Sequence, residues 1–521
     1  MSITIDEAGP KGGAGGIWSY LSTNIRASGR SPTRALVGFI AAWAAFALIM
    51  FVLPIPEGLD RSGMAVLAIV VWASIMWVSE AMPVGITALG IPSLLILTHA
   101  IPYNEKGQPP LDFVLQGFTR HVVWILLFGM MVGAIMQLLK LDRRLALGIL
   151  DKIKASTAGR VIWGFFFVQL ILSFFIPAAV ARSATIMPIV QGVTNLLGDS
   201  EEEQAAKKAI IIQSLVYTSM IAGMFIMTAH LPNMILVGIF GQNGFQLGYL
   251  DWMLLQFPYL GMFVLTQWWV RYHFKTGRVK IAGGHAKIRE AHKALGPMTA
   301  PEWVLIAMFS GIALFFMLGK GSPILQVHSY QLGIVALIGI SLVMFIPGLF
   351  PFKWKEVQDK TMWGTFLLLG GAITMTGAMT KSGLAGWLAH HIHELVAGHV
   401  WWMVLLLMML GTHVMRIGML SNVAAIAMLA PILFQLGGQL GLHPVAFTML
   451  VADTDTFAYL LPTQITAAVI AYGTDTFTAT DYFKVGWVAV LVAIAYGILI
   501  MAPWYALLGL PVWDPTAPWP F

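Results

Sequence analysis

The sequence predicts an all-α polytopic membrane protein: two inverted-topology repeats, about 11 transmembrane helices and two re-entrant hairpins. Three observations predict it. The 521 residues are 58% hydrophobic and only 10% charged, with mean hydropathy +0.79, whereas a soluble domain carries about 25% charged residues. Two polar, Pro-flanked stretches, 177–188 and 420–431, interrupt apolar segments at corresponding places in the two halves. Basic residues recur in short loops at a spacing that matches alternate crossings.

The elements follow in chain order. Residues 1–33 are polar, Gly-rich and basic, and read as a cytoplasmic tail; with no apolar signal core, the first span serves as an uncleaved insertion signal. Spans of about 20 apolar residues fall at 34–53, 63–80, 82–100 and 121–139, the first-repeat scaffold of 34–139. Residues 140–270 hold an amphipathic arm, a hairpin at 159–195, an interrupted span at 207–247 and a span at 252–270. A cytoplasmic basic loop, 271–300, joins the halves. Spans at 303–319, 330–349 and 362–380 form a second scaffold, 301–380. Residues 381–510 then repeat the arm, a hairpin at 400–437, an interrupted span at 444–479 and a span at 485–508, before an outer tail, 511–521.

Charge tests this topology. Arg26, Arg30 and Arg34 place the N-terminus inside; Arg143, Arg144 and Lys152, then Lys275 to Arg289, then Lys353 to Lys360 return to the same side only if the hairpins do not cross. The tail after Met501 has no Lys or Arg. This sets the chain in the cell's inner (plasma) membrane with its N-terminus in the cytoplasm. The net charge of +6 sits in loops beside spans, so it reads as an orientation signal rather than a nucleic-acid surface. Zero cysteines exclude disulfides, thiolate metal sites and cysteine nucleophiles.

Half-helices that end inside a membrane aim unpaired N–H groups and a partial positive charge at whatever lies between them, which suits an anion. Their carbonyl ends suit a cation. Arg182 and Ser183 in the first hairpin, and Ser421, Asn422 and Val423 in the second, are candidate substrate contacts. So are His230 and Asn233 in the first break and Thr463, Gln464 and Thr466 in the second. Ser421, Asn422 and Thr228 are candidate cation ligands. A guanidinium at membrane depth costs about 3 kcal/mol and its fork fits a carboxylate or sulfonate; a shallower hairpin would instead let Arg182 snorkel or pair with an acid. Arg416 is a weaker candidate. His230 is able to donate to an anion or relay a proton, or to serve as a structural hydrogen-bonder. Capping of freed backbone is the competing role for every neutral polar residue named. Glu80 reads as a cap at the cytoplasmic mouth, and Asp453 and Asp455 as cation ligands or boundary residues. His390, His391, His393 and Glu394 match no zinc spacing and read as the polar face of an interfacial arm.

Several stretches resemble the divalent anion/sodium symporter family of di- and tricarboxylate transporters. Trp77-Val78-Ser79-Glu80-Ala81-Met82-Pro83 is similar to its W-x-T-E-A-x-P stretch, and Leu367 to Gly371 followed by Lys381-Ser382-Gly383-Leu384-Ala385 to its second-repeat signature. Ser421-Asn422-Val423 resembles its second Ser-Asn-Thr hairpin motif, with Val423 in place of Thr. The first hairpin departs: Ala178-Ala179-Val180 replaces Ser-Asn-Thr, and Ala181-Arg182 is similar to exchanger-type members. The resemblance implies a homodimer that moves its substrate by an elevator motion. It also implies Na+ as coupling ion and no other cofactor, and the departures put the first sodium site in question. The expected function is secondary transport of a small organic anion, a di- or tricarboxylate, by exchange or with reduced sodium coupling. A sulfonate or other oxyanion carrier is the alternative substrate class, and a membrane metalloenzyme using the outer histidines the alternative function.

Overall fold

A computed structural model describes residues 22–23, 31–104, 106–276, 279–318, 346–419 and 421–521. Most of the tail 1–33 and of the expected span 330–349 lies outside the described residues. Every named element is helical, and among the described residues eight helices are long and apolar enough to cross a membrane, or nine if one bent pair counts as a span.

Helix α1 (Pro32–Ala47) starts on a proline and presents Val37, Ile40 and Trp43 outward, as a lipid-facing helix should. Asp60 accepts from Gly63 N at 2.7 Å to cap α2 (Arg61–Ser79), which ends where Glu80 turns left-handed, φ 53°. The expected span 82–100 is shorter, α3 (Val84–Leu97), because Pro83 leads it in and His99 turns left-handed after it. Next come α4 (His121–Leu138), the arm α5 (Leu141–Lys152) and the two helices of the expected first hairpin, α6 (Ala158–Phe175) and α7 (Ala179–Thr194), of which α6 is long and apolar enough to cross a membrane.

The first interrupted span begins at α8 (Glu201–Ile211), closed at its start by a Ser200–Glu203 capping box. It then widens into a π turn, Ile212–Tyr217, where Thr218 N bonds back to Gln213 O. It continues as α9 (Thr218–Phe225), breaks through a 3₁₀ turn at Met227–Ala229 and resumes as α10 (Leu231–Gln242). The expected span 252–270 is itself kinked by a Pro258-containing 3₁₀ turn, Phe257–Leu260, before α11 (Gly261–His273).

The basic connector is not a free loop. Its helix α12 (Gly284–Lys293) is clipped to the arm, with His285 Nε2 3.0 Å from Asp151 Oδ1 and His292 Nδ1 3.2 Å from Asp151 Oδ2. An antiparallel bridge pairs Thr157 with Lys280, and Arg144 Nε lies 2.8 Å from Glu302 Oε1. Glu302 opens α13 (Ala300–Leu318).

The second half runs α14 (Trp363–Lys381), arm α15 (Leu384–Val396), hairpin helices α16 (Trp401–Gly418) and α17 (Asn422–Gln439), then α18 (Pro444–Asp455), a break, and α19 (Thr466–Tyr472). The last helix is α20 (Ala479–Tyr496). The order matches that of the first half in detail. Each arm starts after a left-handed residue, Lys140 (φ 59°) and Gly383 (φ 76°). Each second hairpin helix carries a proline inside it, Pro188 and Pro431, nine residues after its first residue.

Candidate functional site

Both hairpin tips are extended backbone rather than continued helix: Ala178 (φ −109°, ψ 124°) and Ser421 (φ −113°, ψ 114°) each lead into the second limb. Both face one cavity of about 460 Å³, which also meets both helix breaks. The first residues of α7, α10 and α17 border it, so three sets of orphan N–H groups aim inward. No side chain caps α7 or α10; at α17, Ser421 Oγ accepts from Ala424 N at 3.2 Å. Ile465, Thr466 and Ala467 complete the wall, and Arg34, Trp77 and Glu80 stand at one mouth.

Of the residues singled out from sequence, His230, Ser421, Asn422, Val423, Thr463 and Thr466 border the cavity. Arg182, Ser183, Asn233, Gln464 and Thr228 do not, and each has a structural partner instead. Asn233 Nδ2 donates to Gly223 O at 3.0 Å and Ile226 O at 3.2 Å, closing the first break. Gln464 Oε1 accepts from Leu460 N at 2.9 Å and Leu461 N at 2.8 Å, closing the second. Thr228 Oγ1 lies 3.4 Å from the Tyr249 hydroxyl.

The two arginines do matching work. The fully buried Arg182 donates through Nη1 to Ile176 O at 2.7 Å and Ala229 O at 2.8 Å, and through Nη2 to Ser219 O at 2.9 Å. Arg416, also fully buried, donates through Nη1 to Met419 O at 2.8 Å and through Nη2 to Gln464 O at 2.5 Å and to Asn422 Oδ1. Each guanidinium thus ties a hairpin turn to the carbonyl of a helix break. Arg416 has a counterion in Asp455, Nε to Oδ1 3.0 Å. Among the described residues no carboxylate forms an ion pair with Arg182, so the site carries an unbalanced positive charge. Gly223 makes room for it: a Cβ there would lie 2.8 Å from Arg182 Nη2.

Arg416 also fixes the Asn422 amide. Because Oδ1 accepts from a guanidinium, Nδ2 is the end left over; it is buried, makes no hydrogen bond among the described residues, and belongs to a residue that borders the cavity. The first hairpin is locked the same way to the π turn. Its i−5 bonding frees carbonyls that Gln169 Nε2 (to Ser214 O, 3.2 Å) and Ser183 Oγ (to Leu215 O, 2.6 Å) occupy, while Ser219 Oγ donates to Ala179 O at 3.0 Å.

The sequence marks Arg34 only as an orientation signal; it stands at the mouth and donates to Val78 O at 2.5 Å. Asp453 and Asp455, read as cation ligands or boundary residues, have other roles. Asp455 is a fully buried ion-pair partner and Asp453 accepts from Gln256 Nε2 at 2.9 Å; neither is a boundary residue. Among the described residues the histidines of arm α15 form no metal-type cluster; His390 lies 3.6 Å from Glu394 on an exposed face.

A polytopic helical protein whose broken helices converge on one cavity has the architecture of a membrane transporter, and its family and relatives are transporters rather than enzymes. The chain belongs to the family described by the sodium:sulfate symporter transmembrane region, that of the divalent anion/sodium symporters, which its residues 34–511 match. It is 29% identical over 486 residues to a membrane protein of Cupriavidus necator, covering 91% of this chain and 93% of that one. It is 27% identical over 502 residues to the sodium-dependent dicarboxylate transporter SdcS of Staphylococcus saprophyticus (92% and 93% covered). With SdcS of Staphylococcus aureus the identity is 25% over 521 residues (95% and 96% covered). In fold it is similar to the Alcanivorax borkumensis YdaH transporter, TM-score 0.52 at 14% identity, over 82% of this chain and 99% of that one. Neisseria gonorrhoeae MtrF gives TM-score 0.53 at 12% identity, over 93% and 97%.

Proposed function

We propose that the protein carries a dicarboxylate across the plasma membrane by exchange against a second organic anion, with the N-terminus in the cytoplasm. The observation that carries this reading is the single cavity on which both hairpin tips and both helix breaks converge. Two carboxylates need donors at both ends of an elongated ligand. Orphan N–H groups of α7 and α10 on one side, and Asn422 Nδ2 with the start of α17 on the other, supply them without a direct ion pair. The volume, about 460 Å³, lies in the usual range for organic ligands and exceeds what a bare inorganic oxyanion needs.

Exchange is favoured over sodium symport for a chemical reason. The carbonyls at the hairpin turns and breaks, Ile176, Ala229, Met419 and Gln464, are the oxygens that would ligate a cation, and guanidinium N–H groups occupy them. Arg182, which has no ion-pair partner among the described residues, does the neutralising that coupling ions do elsewhere. The matched order of the halves supports inverted repeats, and the hydrogen bonds that bind each hairpin to its broken helix support their moving together, elevator-fashion, against α2–α4 and α14.

Reconstituted protein should take up labelled dicarboxylate into sodium-free vesicles preloaded with unlabelled dicarboxylate. Strict sodium dependence would sink exchange, and failure to move any dicarboxylate under either condition would sink the substrate class.

A further inference from the structure

A second cavity, of about 380 Å³, opens at the end of the molecule that the basic loops mark as cytoplasmic. It lies where three elements meet: the arm α5, the helix α7 and the connector helix α12. Its rim carries two exposed cations from different elements, Arg143 and Lys287. Its floor is apolar, with Leu147 from the arm, Ile189 and Val193 from the hairpin, and Ile288 from the connector. No carboxylate lines it. The site described above shares none of these residues.

We propose that this pocket binds an acidic phospholipid of the cytoplasmic leaflet, the phosphate between Arg143 and Lys287 and the start of an acyl chain on the apolar floor. Charge and depth select this occupant. A soluble anion would use the two cations and leave the floor wetted, whereas a neutral lipid would use the floor and leave the cations unmatched. Basic pockets among helices on the cytoplasmic side suit acidic head groups, each basic side chain contributing about fivefold in affinity. The lipid would wedge between an arm and the hairpin that closes on the cargo, and would brace the connector against both. Binding does not depend on the identity of the cargo.

Gly192 provides a second handle. It lines the pocket on α7, and a Cβ there would meet nothing within 4 Å. A large side chain at 192 would fill the space a lipid chain takes, without displacing protein and with a gain in helix propensity.

The test is native mass spectrometry of the purified protein, reading retained phosphatidylglycerol against phosphatidylcholine. The wild type should retain phosphatidylglycerol selectively. Arg143→Gln with Lys287→Gln should lose about thirtyfold in its affinity, and Gly192→Phe should exclude it while its thermal unfolding matches the wild type. Retention unchanged in both variants would overturn the assignment. So would displacement of the lipid by millimolar inorganic phosphate, which would make the pocket a free-anion site. If dicarboxylate transport were absent in the same samples while lipid retention behaved as expected, the transport reading would fail and this one would stand.

Discussion

Arg416 Nε lies 3.0 Å from Asp455 Oδ1, and both side chains are fully buried. The pair sits where the second hairpin turn meets the second break, and it fixes the Oδ1 end of Asn422, a residue that borders the cavity. The corresponding cation of the first half, Arg182, has only carbonyl partners among the described residues. That asymmetry, one balanced cation and one unbalanced, defines the electrostatics of the site.

Asp455→Asn should destabilise the protein by about 3–5 kcal/mol, since it leaves a buried guanidinium without its counterion. Arg416→Met combined with Asp455→Leu should recover most of that stability yet bind dicarboxylate poorly, because nothing then orients Asn422. Thermal unfolding in detergent and ligand-induced stabilisation, read on the same samples, separate the two effects.

Arg182→Ala should cost stability as well as transport. It strips three buried carbonyls of their donor, at about 1–3 kcal/mol for each one left unsatisfied. Gly223→Ala should weaken the same junction without touching the charge, because its methyl group would collide with Nη2. An Arg182→Ala protein with wild-type melting behaviour would show that the clamp does not hold the hairpin.

Asn422→Asp should keep the bond to Arg416 and preserve the fold while placing a carboxylate beside the bound anion. A loss of dicarboxylate affinity of about tenfold or more, about 1.4 kcal/mol, is the expected result of an isothermal or thermal-shift titration.

Asp142, at the start of the arm, offers a pH readout outside the membrane-spanning helices. Burial pushes its carboxyl up to about 6, against the opposing pull of the Arg143 backbone N–H. The folded state therefore holds its proton to higher pH than the unfolded chain, and stability falls as pH rises from about 4 to about 6, by about 3 kcal/mol in all. Asp142→Asn should flatten that part of the stability profile and raise the melting temperature at pH 7.5 more than at pH 4.5.

Much of this fold is readable from residues. Proline and small polar groups inside apolar runs mark 177–188 and 420–431 as places where a helix is interrupted; the break falls at the start of each stretch, where α7 and α17 begin before running on through Pro188 and Pro431. Destinations of side chains are less readable. Helix α7 meets the cavity end-on, so only Ala178 to Val180 border it; Arg182 lies a turn deeper and reaches carbonyls. Depth follows from hydropathy, but the partner of a buried cation depends on a fold that brings Ala229, 47 positions away, beside it. The connector's docking on Asp151 was hidden for the same reason, with 134 and 141 positions separating it from His285 and His292.

The wide turn at Ile212–Tyr217 carries one more residue than an ordinary helix would place there. Deleting a single codon inside it would let the helix close as an ordinary α turn, with Thr218 to Phe225 kept in register. Helix N–H groups would then take the Ser214 and Leu215 carbonyls, and Gln169 and Ser183 would lose their acceptors. Such a frame-preserving lesion would loosen the junction while every wall residue of the chamber remained spelled as before.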